Sequence, residues 1–152
     1  MPELYFEEIK QEDYKEIMAL EYVSFNERDR MKSEVFYDFI KDPNKEFIKI
    51  IDQSNNLIAC IMLLIISETV DYGYLYSIAV DHKYQRQGIA SICMTYIINY
   101  FRDKKVSHIE LHVRRSNISA IKLYEKFNFF VDQVVDNYYG DGDDALIFKR
   151  LF

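Results

Sequence analysis

Ile17, Leu20 and Val23 follow Asp13 at helical spacing, with the aspartate placed to cap the first turn. The polar stretch Ser24-Phe25-Asn26-Glu27-Arg28-Asp29-Arg30-Met31 separates them from a second helical pattern, Val35, Phe36, Phe39 and Ile40, which stops at Asp42-Pro43. Phe47 to Ile51 reads as a strand, Asp52 to Asn56 as a turn, and Leu57 to Ile66 as the antiparallel return. Tyr74 to Asp81 follows Gly73 and alternates, which puts Tyr74, Tyr76, Ile78 and Val80 on one face. After Gly88 the period changes, and Ile89, Ile92, Cys93, Tyr96, Ile97 and Tyr100 form one helical stripe. Beyond Lys104-Lys105, the residues Ile109, Leu111 and Val113 alternate with His108, Glu110 and His112, again a strand.

Asn117 stands at the N-cap position of a last helix carrying Ile118, Ile121, Tyr124 and Phe127. The chain closes with a hairpin: Phe129 to Tyr139, a tight turn through Asp141-Gly142, and Ala145 to Phe148. Two helices followed by the order ββ–β–α–β–α–ββ predict an α/β fold (α+β by some schemes). Its sheet should be mixed and mostly antiparallel, with helices on both faces.

Composition narrows the class. A chain of 152 residues is about one domain by size, taken as residues 1–152, and 49% hydrophobic content with 29% charged argues against disorder. The net charge is −6 and no dense Lys/Arg cluster appears, so no nucleic-acid partner is expected. Met1 to Glu8 has neither a basic nor an apolar signal region, and Leu57 to Ile66 is shorter than the roughly 20 residues of a membrane helix. The expectation is a cytoplasmic protein without a membrane partner. Cys60 and Cys93 could pair in principle, but Cys60 within an apolar run and Cys93 on a helix stripe favour buried free thiols. The histidines lack Cys or carboxylate partners at ligand spacing, so no metal is expected.

The segment Val80-Asp81-His82-Lys83-Tyr84-Gln85-Arg86-Gln87-Gly88-Ile89-Ala90-Ser91 carries chemistry: a strand ends, a loop turns, and a helix opens on small residues. Such a helix start has amides without intrahelical partners and partial positive charge, and Gly88 and Ala90 would let a phosphate approach them. Gln85 and Arg86 would add side-chain donors. The same pattern also suits an ordinary helix start, and it is neither a Walker loop nor a dinucleotide fingerprint.

Gln85-Arg86-Gln87-Gly88-Ile89-Ala90 resembles the [Q/R]-x-x-G-x-[G/A] motif of the GNAT superfamily of acetyl-CoA-dependent N-acetyltransferases. Leu111-His112-Val113-Arg114-Arg115-Ser116-Asn117, Ala120-Ile121 and Leu123 to Phe129 resemble its second conserved block. Asn137-Tyr138-Tyr139-Gly140-Asp141-Gly142-Asp143-Asp144-Ala145 is similar to the protein N-terminal acetyltransferases, both the NatA/NatE catalytic-subunit type and the ribosomal-protein alanine acetyltransferases.

The resemblance implies acetyl-CoA as co-substrate, its pyrophosphate on the amides of Gln85, Arg86, Gln87, Gly88, Ile89, Ala90 and Ser91. It implies a pantetheine arm along the backbone of Ile78, Ala79 and Val80, with Asn117 contributing near the last helix unless it only caps that helix. Tyr124 falls where the family keeps a proton donor to the departing thiolate. His112, on the polar face of its strand, falls where NatA- and NatE-type enzymes carry a base, whereas the bacterial ribosomal-protein enzymes usually have Glu there. Tyr74 matches the tyrosine paired with that histidine, and Tyr76 is its same-face neighbour. Tyr138 and Tyr139 would cover an entering peptide. Phe25, Asn26 and Glu27 lie in the loop the family turns toward the first substrate residues.

The expected reaction is therefore direct acetyl transfer, in a ternary complex, to the α-amine of a protein or peptide N-terminus. Lysine side chains, polyamines or another small amine are the alternative acceptors, and a catalytically inactive coenzyme-binding subunit is a third reading. Some relatives act with an auxiliary ribosome-anchoring subunit, so such a partner is compatible with this chain.

Overall fold

In a computed structural model describing residues 3–152, the chain order is β1 (Tyr5–Glu8), α1 (Tyr14–Ser24), α2 (Ser33–Lys41), β2 (Lys45–Ile51), β3 (Leu57–Ser67), β4 (Asp71–Val80), α3 (Ile89–Asp103), β5 (His108–Arg114), α4 (Ile118–Lys126), β6 (Phe130–Val135) and β7 (Ala145–Leu151). The seven strands follow the order β1-β2-β3-β4-β5-β7-β6. The β1–β2, β2–β3, β5–β7 and β6–β7 pairs are antiparallel, and β4–β5 is parallel. The fold is α/β with a mixed, mostly antiparallel sheet. Strand β1 escapes the hydrophobic pattern because only Phe6 of its four residues is even partly buried. The pairing with Ile48–Ile51 holds it as a strand.

The chain divides into two compact units, residues 3–64 with 77–93, and residues 65–76 with 94–152. In the first, Phe36 and Phe39 of α2 meet Phe47 of β2 with ring centroids 5.3 and 5.8 Å apart. Ile17, Leu20, Cys60, Met62 and Ala79 complete the core around them. The stripe of α1 differs from expectation. Val23 is 62% exposed, because it lies roughly 240° around the axis from Ile17, and the buried face runs through Glu21 instead. Asp13 precedes α1 but does not cap it: its carboxylate accepts from the Lys10 amide at 2.8 Å and Lys49 Nζ at 2.9 Å. Cys60 and Cys93 are both free and buried.

Among the described residues, Glu21 is the one buried charged residue, 2% exposed. Its Oε1 accepts from the Met31 amide at 3.0 Å, which ties α1 to the end of the α1–α2 loop. Its Oε2 and the Ser24 hydroxyl are buried with no hydrogen-bond partner among the described residues. Burial pushes this carboxyl up to about 7, against a smaller opposing pull from the Met31 amide.

In the second unit, β5 keeps strict alternation, with Ile109, Leu111 and Val113 buried and His108, Glu110, His112 and Arg114 on the other face. Gly73 of β4 sits against the fully buried Phe101 ring of α3, where an added Cβ would lie 2.5 Å from ring carbons. A bulky ring and an absent side chain thus share one space. The closing hairpin is not the tight turn expected from Asp141-Gly142. Strand β6 ends at Val135, and Asn137, Tyr138 and Tyr139 lie in the loop before β7. That loop is closed by the Asn137 amide donating to Asp144 (2.9 Å) and the Gly142 amide donating to Asn137 Oδ1 (2.7 Å). Gly142, at φ 91°, takes the left-handed conformation glycine allows.

Candidate active site

Within the second unit, three aromatic residues and one histidine converge. The parallel ladder aligns Tyr74 with Glu110, and His112 follows two residues later on the same face of β5. The His112 ring meets Tyr74 edge-on at 5.3 Å between centroids and meets Tyr138 edge-on at 5.5 Å. Tyr138 contacts Tyr139 at 5.0 Å, and the Arg114 guanidinium lies 3.9 Å from the Tyr139 ring centroid. Tyr124 of α4 packs toward Phe129 and Phe148 at 5.9 and 6.1 Å.

The electrostatics suit proton traffic at neutral pH. Burial lowers the His112 imidazole below its ordinary value, while the nearby Glu110 carboxylate opposes the shift, so the ring is mostly neutral at pH 7. Burial raises the Tyr74 phenol far above its usual range, with Tyr138, Glu110 and Tyr139 adding to the effect. Burial pushes Tyr124 up to about 12, with a further contribution from Tyr139. Both phenols therefore hold their protons through the working range.

Glu110, two residues before His112, is its same-face neighbour, a relation the alternation of β5 contains. The contacts of Arg114 have no local sequence signal, because its partners Asp141 and Asp143 are 27 and 29 residues away.

The first unit carries the other candidates. Asp81 caps a short turn by accepting from the Lys83 amide (2.9 Å), and its own amide donates to the Ile58 carbonyl (2.8 Å). Arg86 and Gly88 then adopt φ of 61° and 79° before α3 begins. A cavity of about 170 Å³ opens here, lined by Val80, Gln85, Arg86, Gly88, Ala90 and Ser91 among others. Ile89 is buried, so it offers this cavity chiefly backbone. Gln85 Nε2 uses one of its two N–H groups on the Val80 carbonyl at 3.3 Å, and Gln87 Nε2 donates to the Lys83 carbonyl at 3.2 Å. The β4–β5 ladder covers Gly73 and Tyr74, and Ile78, Ala79 and Val80 come after it on β4.

Asn117 caps α4, its Oδ1 accepting from the Ala120 amide at 3.2 Å, which leaves its amide nitrogen as the group a ligand would use. In the α1–α2 loop, Asn26 Oδ1 accepts from the Arg28 and Asp29 amides, so that oxygen shapes the turn. Phe25 is partly buried against the first unit's core, and Glu27 is exposed. Phe25, Asn26 and Glu27 belong to one unit, while Tyr74, His112, Tyr124, Tyr138 and Tyr139 belong to the other.

The fold and these motifs define an acyltransferase-type α/β protein. The chain belongs to the acetyltransferase (GNAT) family, whose pattern it matches over residues 7–129. An N-alpha-acetyltransferase of Saccharolobus solfataricus is 42% identical over 79 residues, 51% of this chain and 47% of that protein. The matches span about half the length of such curated relatives. Arabidopsis thaliana NAA60, crystallised with a bisubstrate analogue, shares the fold with TM-score 0.88 at 21% identity, covering 98% of both chains. A spermidine N-acetyltransferase SpeG chimera from Vibrio cholerae and hSSAT also shares it, with TM-score 0.84 at 22% identity, covering 97% of this chain and 95% of that one.

Proposed function

We propose that the protein transfers an acetyl group from acetyl-CoA to the α-amine of a protein or peptide N-terminus, by direct attack in a ternary complex. The observation that carries this reading is the His112 ring set edge-on between Tyr74 and Tyr138, where burial favours its neutral form. A protonated amine has no lone pair to offer, so a nearby base is needed, and a neutral imidazole supplies one. Tyr74, protonated and in contact with that ring, orients it or relays its proton.

Acetyl-CoA would supply the activated acetyl group as a thioester. In this chain, Gly88 and the amides opening α3 would hold its pyrophosphate, because the cavity is lined by backbone in the left-handed conformation that a side chain disfavours. The Ile78–Val80 backbone would pair with the pantetheine arm, and the Asn117 amide would add a donor. As the new C–N bond forms and the C–S bond breaks, His112 accepts the proton lost by the amine, directly or through water. Tyr124 gives its proton to the departing sulfur. Tyr138 and Tyr139 would cover the incoming peptide, with Phe25 and Glu27 contacting its first residues.

The acidic balance of the chain, net −6, is compatible with a second reading in which the acceptor is a polyamine or a lysine side chain. A panel of peptides varying in their first two residues, with N-blocked peptides carrying a free lysine and with spermidine, separates the two by mass spectrometry. Acetyl on free N-termini alone is the expected result. Acetyl on lysine or spermidine alone overturns the leading reading. An auxiliary subunit would show as transfer that appears only in the presence of that partner.

A further inference from the structure

The loop carrying Tyr138 and Tyr139 is held by bonds within its own turn and, from outside it, by one arginine. Arg114 Nη1 donates to both carboxylate oxygens of Asp141, at 3.1 and 2.9 Å, and to Asp143 Oδ2 at 3.4 Å. The same guanidinium stacks on Tyr139 at 3.9 Å, so charge and ring face are engaged at once. Arg114 is only 14% exposed in its side chain, and Asp141 and Asp143 are 29% and 20% exposed, so bulk salt screens the cluster weakly. Its neighbours extend the grip, with the Ser116 hydroxyl donating to Asp143 and Arg115 Nη1 to Asp144 at 3.2 Å. Arg114 stands two residues after His112 on the same face of β5.

We propose that Arg114 is a positioning residue for acceptor recognition, its guanidinium holding the β6–β7 loop so that Tyr138 sits against His112 and Tyr139 against Tyr138. This rests on the acetyl-transfer reading above, since it assigns to that site the part that orders its peptide-facing wall. The chain of contacts is continuous: Asp141 and Asp143 to Arg114, Arg114 to Tyr139, Tyr139 to Tyr138, Tyr138 to His112. The Ser116 hydroxyl and then Arg114 hold the Asp143 carboxyl below the usual carboxylate range, so the grip persists through mildly acidic conditions.

The test compares Arg114→Gln, Arg114→Lys, Asp141→Asn and the Arg114→Gln/Asp141→Asn double variant of the full chain. For each, acceptor KM, acetyl-CoA KM, kcat and Tm are measured. Amide hydrogen exchange is read at Asn137, Gly142 and Asp143, and the NMR shifts of the His112 ring are recorded. Expected for Arg114→Gln is a rise of about tenfold or more in acceptor KM with acetyl-CoA KM within twofold, faster exchange in the loop, and a moved His112 ring signal as Tyr138 shifts. Asp141→Asn removes only the Asp141 part of the grip and should show the same pattern more weakly. The double variant should be little worse than Arg114→Gln alone, because that change has already removed the Arg114–Asp141 interaction. Lysine keeps the charge but loses the planar fork and should restore the wild-type values only in part.

Unchanged acceptor KM with unchanged loop exchange overturns the proposal. So does an equal loss in acceptor KM, acetyl-CoA KM and Tm, which would make Arg114 a general stabiliser. If the wild-type chain acetylates no N-terminus, the function reading fails by itself. Loop exchange and the His112 ring shifts then still decide whether Arg114 holds the loop.

Discussion

The imidazole of His112 and the phenol ring of Tyr74 meet at 84°, their centroids 5.3 Å apart. They reach this geometry because β4 and β5 pair in parallel at Gly73↔Ile109 and Tyr74↔Glu110, which puts His112 one same-face step beyond the Tyr74 level. Pairing two rings this way needs no sequence proximity, only a sheet register.

His112→Ala should lower kcat by about 100-fold, a usual scale for a lost general base, with acetyl-CoA KM little changed. In the wild type, burial lowers the imidazole below 6.5, so kcat should rise with pH below that value and level off above it. Steady-state pH profiles check both points. An acid limb that survives in the variant would remove His112 from the proton path.

Tyr74→Phe keeps the ring against His112 and removes only the hydroxyl. If the protonated phenol orients or relays, kcat should fall about tenfold with Tm nearly unchanged. Wild-type kcat in this variant would leave Tyr74 a packing role alone.

Gly88→Val forces a β-branched side chain onto φ of 79°, a conformation costing about 1–2 kcal/mol for ordinary residues. It also adds bulk to the cavity. Acetyl-CoA affinity by calorimetry should weaken tenfold or more, and unaltered affinity would discredit the pyrophosphate cradle.

Glu21 makes stability depend on pH in an unusual direction. Its carboxyl titrates near 7 in the folded protein and near 4.5 when unfolded, so between those values the folded state holds more protons. Its contribution is therefore fully present below about pH 4.5 and is lost as pH rises to about 7, by roughly 3 kcal/mol. Glu21→Gln, which can still accept from Met31, should remove that slope and gain stability at pH 8. Urea unfolding at pH 5 and pH 8 measures it, and identical slopes in both proteins would refute the assignment.

Gly73→Ala should destabilise by about 1–3 kcal/mol, since its Cβ would lie 2.5 Å from the Phe101 ring. Phe101→Leu in the same chain should recover part of the loss in Tm.

Local periodicity accounts for most of what was legible in the chain. The strict alternation of β5 placed His112 on the face opposite Ile109, Leu111 and Val113, and the N-cap Asn117 marked the start of α4, because both signals act over a few residues. The change of period at Gly88 marked the loop before α3 for the same reason. Strand β1 was invisible because Tyr5–Glu8 has almost no buried face, and only the backbone ladder to β2 makes it a strand. The tight turn at Asp141-Gly142 gave way to a wider loop, closed by Asn137 with Asp144 and Gly142 and bound to Arg114 through Asp141 and Asp143, partners that lie beyond the reach of a local turn signal.

The sequence by itself determined the order of elements from α1 onward, the alternating faces of β5, and the family its motifs resemble. Only the tertiary structure decided that Tyr74, His112 and Tyr138 touch, that Glu21 is buried with an orphan oxygen, and that Arg114 joins Tyr139 to two distant aspartates. Periodicity records which way a side chain points relative to its own backbone. What it meets there depends on strand register and loop closure, which are set by contacts between residues far apart in the chain.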